Sequence, residues 1–291
     1  MFDGFRKFDI ATTGTTIHGV TGGSGPPLLL LHGYPQTHAM WHELAPLLAD
    51  RFTIVAADLR GYGDSGKPAS SADHAVYSKR SMALDMAEVM TALGHATFFV
   101  CGHDRGGRVA HRLALDHPAR VKRLAVLDIA PTREMYRDTT DAFARAYAHW
   151  FYLIQPAPLP ERMIGADARD YWRRKCGSGA AGLSIFAPEA LAEYLRCFDN
   201  PETIHATCED YRAAAGIDIR HDDEDNGRKV TCPMLALWGQ HGVIERCFDA
   251  LALWRERAVD VQGGALPGAH YLAEELPGQV AGRLVTFFDA A

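Results

Sequence analysis

Nine residues constrain this chain more than any others: Val100-Cys101-Gly102-His103-Asp104-Arg105-Gly106-Gly107-Arg108. They follow an apolar run and precede a segment of helical pattern. Glycines at 102 and 106 let the backbone turn so tightly between strand and helix that residue 104 stands above the sheet. Where such an elbow carries serine, the serine is an acyl-transfer nucleophile. Here the apex is Asp104, which excludes a serine-type esterase. A Gly-rich turn capped by Asp, or a weak phosphate-binding turn, would share the spacing.

The surrounding pattern favours a nucleophile elbow. Leu28–Leu31, Thr53–Ala57, Thr97–Val100 and Leu124–Leu127 are short apolar runs of the kind buried in parallel sheets. Between the second and third, Met82, Met86, Val89, Met90 and Leu93 recur at helical spacing, and Gly94 supplies a stop. A second helix is predicted from Gly106 to about Asp116-His117-Pro118. The rhythm breaks after Asp128. From about Pro131 to Asn226 the pattern is helical and aromatic, interrupted by Pro156, Pro158 and Pro160. Strands return at Met234–Trp238 and around Val259–Gln262, and a helix closes the chain. The expected fold class is therefore α/β, a mostly parallel sheet flanked by helices with an inserted helical cap. The expected division is a core of residues 1–133 and 226–291 and a cap of residues 134–225.

Composition narrows the partners. Thirty Lys+Arg against 36 Asp+Glu give a net charge of −6 over 291 residues, without the basic stripe of a nucleic-acid binder. Apolar runs such as Leu28–Leu31 are too short to span a bilayer. The first residues, MFDGFRKFD, lack a secretory apolar region. Six cysteines are scattered without a C-x-x-C pair, which suits free thiols in a reducing compartment. A soluble, cytoplasmic protein that binds neither nucleic acid nor membrane is expected.

Three further motifs are in register with the elbow. Leu31-His32-Gly33-Tyr34-Pro35 follows the first apolar run, Asp58-Leu59-Arg60-Gly61-Tyr62-Gly63-Asp64-Ser65 the second, and Gly268-Ala269-His270-Tyr271 lies near the C-terminus. On these residues the chain resembles the α/β-hydrolase superfamily from 28 to 275. An Asp nucleophile would attack carbon, expel a leaving group and become an alkyl ester. Water deprotonated by a neutral His270 would then cleave that ester. The backbone N–H groups of Tyr34 and Arg105 would hold the oxyanion. The loop after the next-to-last strand, Gly239-Gln240-His241-Gly242-Val243, offers no carboxylate before Glu245, so Asp128 is the expected partner of His270.

The residue after the nucleophile narrows the substrate. Haloalkane dehalogenases and most epoxide hydrolases carry Trp there, whereas this chain has Arg105, with Arg108 one helical turn on. Two guanidinium groups suit a substrate carboxylate held by charge-assisted hydrogen bonds. Taken alone, Arg108 could equally face solvent or pair with an acid. His149 and Trp150, in an aromatic segment, and Tyr211, in Asp210-Tyr211-Arg212, could supply donors around a departing halide, although such stripes usually pack cap cores.

With HDRGGR at 103–108, DLRGYG at 58–63, LDIAPT at 127–132, HW at 149–150, QPAP at 155–158 and DYRA at 210–213, the chain resembles the fluoroacetate (haloacetate) dehalogenase family. The resemblance implies Asp104 as nucleophile, His270 as base and Asp128 as its partner. It implies Arg105 and Arg108 as carboxylate ligands, and His149, Trp150 and Tyr211 as halide ligands. It also implies a homodimer, a small anionic substrate, and neither cofactor nor metal. Two departures bear on substrate preference. Tyr34 stands where the family commonly has Phe, and a cap Trp that some members carry is missing from Cys176–Ala181. The alternatives are an epoxide hydrolase, with Tyr147, Tyr152, Tyr171, Tyr194 or Tyr211 protonating the ring oxygen, and a non-catalytic binder of small acids.

Overall fold

In a computed structural model, residues 1–179 and 182–289 are described. Eight strands form one sheet: β1 (Arg6–Ala11), β2 (Thr16–Gly23), β3 (Pro27–Leu31), β4 (Thr53–Ala57), β5 (Phe98–His103), β6 (Val121–Leu127), β7 (Met234–Gly239) and β8 (Val261–Leu266). Their spatial order is β1-β2-β4-β3-β5-β6-β7-β8. Strands β3 to β8 pair in parallel, while β1 and β2 form an antiparallel hairpin joined to β4. The parallel centre follows from its residues. Leu28, Leu29, Leu30 and Leu31 on β3 and Val100 and Cys101 on β5 are all fully buried, as strands covered on both faces require.

The helix Lys79–Ala92 buries Met82, Met86, Val89 and Met90, and the Ser78 hydroxyl caps its N-terminus by accepting from the Ser81 N–H. Gly94 follows its end at φ +85°. The helix Arg105–Asp116 is almost wholly buried between sheet and neighbours. Strand β5 runs to His103, three residues beyond the apolar run, and so delivers the chain straight into the elbow. Strand β8 lies two residues later at its start than the apolar run suggested, because Val259 is solvent-exposed.

Among the described residues, the segment between β6 and β7 forms eight helices, from Thr132–Arg137 to Ile217–Glu224. It packs onto the loop after β3: the Trp172 indole N–H donates to the Pro35 carbonyl at 2.9 Å, and the Tyr34 hydroxyl donates to that of Tyr171 at 3.0 Å. All six cysteines are free. No helix among the described residues is long and apolar enough to cross a membrane.

Candidate active site

Asp104 sits at φ +44°, ψ −115°, between the last residue of β5 and the first of the helix Arg105–Asp116. A side chain in that region is strained by about 1–3 kcal/mol, and it persists only where neighbours dictate it. The glycines show how. A Cβ on Gly102 would lie 2.4 Å from the Gly106 carbonyl oxygen, and one on Gly106 would lie 2.3 Å from that of Leu31. Strand, turn and helix thus approach too closely for any other residue at these two positions.

The Asp104 carboxylate accepts from the Tyr34 backbone N–H at 3.0 Å. Burial pushes this carboxyl up. His270, Arg108, His103 and Arg105 together outweigh that and hold it below the ordinary range, so it is ionised. The Arg105 N–H opens the helix directly after it. Both backbone groups expected to face an oxyanion therefore flank residue 104.

His270 and Asp128 are brought together across 142 residues of sequence. Nδ1 of His270 lies 2.6 Å from Oδ2 of Asp128, and the other carboxylate oxygen accepts from the Gly239 N–H at 2.9 Å. Asp128 is fully buried and, like Asp104, has positive φ (+51°). The His270 carbonyl lies 2.8 Å from Nε2 of His103. The Tyr147 hydroxyl is 3.4 Å from Nδ1 of His270.

Both arginines are buried, and they are held differently. Arg105 donates from Nε to Oδ2 of Asp210 at 2.8 Å, and from Nη2 to Oδ1 at 2.7 Å and to the Asp210 carbonyl at 2.9 Å. Among the described residues, Arg108 has no ion pair with a carboxylate, and it does not face solvent. Its Nη1 donates to the Ala130 carbonyl at 3.0 Å and the Thr132 hydroxyl at 2.8 Å, and its Nη2 faces Sδ of Met135 at 3.3 Å. Each guanidinium lies against an aromatic face: Arg105 over Tyr211 at 4.1 Å and Arg108 over Trp150 at 4.7 Å. The acid that arginine pairing required therefore falls to Arg105 rather than Arg108.

His149 stacks on Tyr34 with ring centres 6.0 Å apart and lies edge-on to Tyr211 at 5.8 Å. Burial, reinforced by Lys175, His270 and Arg105, holds its imidazole well below the usual range, so it is neutral. Burial and the nearby Asp104 push the Tyr211 hydroxyl well up, so it keeps its proton. Among the described residues, Nη1 of Arg105, Nε of Arg108, Nε1 of Trp150 and the hydroxyl of Tyr211 are buried without a hydrogen-bond partner. A buried donor without a partner costs about 1–3 kcal/mol. Such a set of donor-bearing groups has the chemistry to receive an anion.

Sequence reading missed three contributors. Asp210, Tyr62 and Lys79 gather around Arg105; Asp210 and Tyr62 lie in motifs noted above without a role of their own. The position of Asp210 directly before Tyr211 was the available signal. Within Cys176–Ala181, residues 180 and 181 lie outside the described residues. Cys176 is buried.

An α/β-hydrolase fold family model matches residues 26–256. A fluoroacetate dehalogenase from Burkholderia sp. is 47% identical over 100% of this chain and 96% of its own length. A soluble epoxide hydrolase from Corynebacterium sp. is 36% identical over 94% of each. A crystal structure from Nostoc sp. PCC 7120, described as a candidate α/β hydrolase, superposes with a TM-score of 0.97 at 57% identity and full coverage of both chains. The chain belongs to the α/β-hydrolase superfamily and, within it, to the fluoroacetate (haloacetate) dehalogenase family, hydrolases acting on carbon–halide bonds.

Proposed function

We propose that this protein hydrolyses short 2-haloalkanoates to 2-hydroxy acids, releasing halide and a proton. The observation that carries the reading is the cluster of four partnerless buried donors beside an ionised Asp104. An anionic substrate with an electronegative leaving group satisfies donors of that kind; an uncharged one leaves two arginine N–H groups unpaired.

Arg105 and Arg108 hold the substrate carboxylate, which fixes the α-carbon against Asp104. An Asp104 oxygen attacks that carbon, the carbon–halogen bond breaks, and an ester joins Asp104 to the acid. Charge appears on the halogen only as its bond breaks. Neutral donors from His149, Trp150 and Tyr211 therefore favour the transition state over the ground state. His270, oriented by Asp128, takes a proton from water, which adds to the Asp104 carbonyl carbon. The N–H groups of Tyr34 and Arg105 hold the resulting oxyanion until the hydroxy acid leaves and Asp104 is restored.

Epoxide hydrolysis uses the same nucleophile and base, and the Corynebacterium relative is named for it. The partnerless Tyr211 hydroxyl supports that second reading as a proton donor to the ring oxygen. The arginine pair weighs against it. The deciding experiment is halide release from fluoroacetate and chloroacetate alongside turnover of styrene oxide. Halide from either acid, with little or no diol, supports the dehalogenase reading; diol without halide replaces it.

A further inference from the structure

The fully buried Asp210 carboxylate has no place in the chemistry above, yet it gathers more strong donors than any group in the mechanism. On the helix Pro201–Ala215, it takes the Nε and Nη2 donors of Arg105. The Tyr62 hydroxyl donates to its Oδ2 at 2.6 Å, and the Lys79 ammonium, at the start of the helix Lys79–Ala92, pairs with its Oδ1. One cap helix, two core helices and the loop after β4 thus converge on one carboxylate. Arg105 is left with a single uncommitted nitrogen, Nη1, and the carbonyl, hydroxyl and thioether partners of Arg108 likewise leave it with Nε.

We propose that Asp210 is a positioning residue for the reaction: by holding Nε and Nη2 of Arg105, it makes Nη1–H the edge presented to the substrate carboxylate. This rests on the dehalogenase reading for the identity of that substrate. A free guanidinium offers a bidentate fork, which would grip a carboxylate tightly in several poses. Two arginines that each offer one nitrogen hold the two carboxylate oxygens at separate points, which fixes the rotation of the acid about its axis and hence the aim of the α-carbon. Asp210 also cancels one buried cation, so the site trades affinity for a general anion against alignment of the right one.

The prediction runs opposite to that of a merely structural role. In Asp210→Asn, one acceptor becomes an NH2 group facing an arginine N–H, and Arg105 loses its counter-charge. The guanidinium leaves its fork and becomes a stronger, less ordered anion trap. By calorimetry, Asp210→Asn should bind acetate at least as tightly as the unaltered protein, and about threefold tighter or more is expected. Its kcat for chloroacetate should fall about tenfold or more per folded molecule. Acetate binding that weakens in step with activity, or an unchanged kcat, overturns the proposal.

If Asp210→Asn does not fold, Tyr62→Phe keeps the charge and removes one donor. An acetate affinity within about twofold of the unaltered protein, with kcat lowered about two- to fivefold, supports the proposal, and an unchanged kcat overturns it. If the unaltered protein releases no halide at all, the functional reading fails by itself. Acetate calorimetry then still tests Asp210: tighter or equal binding in Asp210→Asn supports the role, and weaker binding overturns it.

Discussion

Oδ2 of Asp128 lies 2.6 Å from Nδ1 of His270, although 142 residues separate them in the chain. The contact forms because two strand ends meet. Asp128 follows β6, its N–H donating to the Leu237 carbonyl on β7 at 2.7 Å, and its free oxygen is held by the Gly239 N–H. The carboxylate thus fixes the imidazole with Nδ1 turned inward and leaves Nε2 for water. Asp128→Asn should lower the overall rate by about 10²–10⁴-fold without disturbing the fold, since an amide favours the wrong tautomer. His270→Gln should stop only the second half of the reaction. One equivalent of halide would then be released per enzyme, and the ester would persist on the Asp104 peptide in a mass spectrum. Steady turnover by His270→Gln would remove histidine from its role.

Asp104 is held at positive φ for its position rather than for stability. Asp104→Gly should therefore abolish halide release, by about 10³-fold or more, while the melting temperature stays the same or rises, because glycine relieves the strain. A calorimetric scan and a halide assay on the same sample check both halves.

Arg108 and Trp150 should separate binding from chemistry. Arg108→Met removes a charge-assisted hydrogen bond, typically about 1.5–3 kcal/mol, and should raise KM for chloroacetate about ten- to hundredfold. Trp150→Phe keeps a ring under the Arg108 guanidinium but deletes the indole N–H. It should lower kcat for fluoroacetate about tenfold or more and affect chloroacetate less, because the poorer leaving group depends more on its donors. Steady-state kinetics on both acids provides the check, and equal losses would contradict the halide role.

A pH dependence of stability follows from Glu274. Burial pushes its carboxyl up to about 8. Its Oε1 accepts from the Gln36 side-chain amide at 3.2 Å and from the Tyr194 hydroxyl, while Glu43 and Glu275 add negative charge nearby. Because the folded value lies above the unfolded one, the folded state holds a proton that the unfolded chain has already lost. Stability therefore falls as pH rises from about 4.5 to about 8. Glu274→Gln should flatten that slope and raise the melting temperature at pH 8.5, as thermal scans across pH would show.

Much of this site was legible in the sequence because its chemistry sits at strand ends, where glycines and punctuating motifs mark the turns. Gly102 and Gly106 announced the elbow, and the missing carboxylate in Gly239–Val243 pointed back to Asp128. The hairpin of β1 and β2 went unread. Strand β1 is largely exposed and alternates only over Phe8 and Ile10, and β2 is rich in glycine, so neither gives more than a short, weak strand signal. The Asp210 shell was unreadable for a different reason. Its members at 62, 79, 105 and 210 come from four elements, and only the packing of the cap on the core shows that two of the three nitrogens of Arg105 are already committed.

In the proposed reaction Asp104 forms and then loses a covalent bond to the substrate. A single turnover with excess enzyme in ¹⁸O-water, followed by digestion and mass spectrometry, tests it directly. The expected result is heavy oxygen in the peptide carrying Asp104 and ordinary oxygen in the hydroxy acid. An unlabelled Asp104 peptide with labelled product would show that water attacks the substrate itself, and would contradict it.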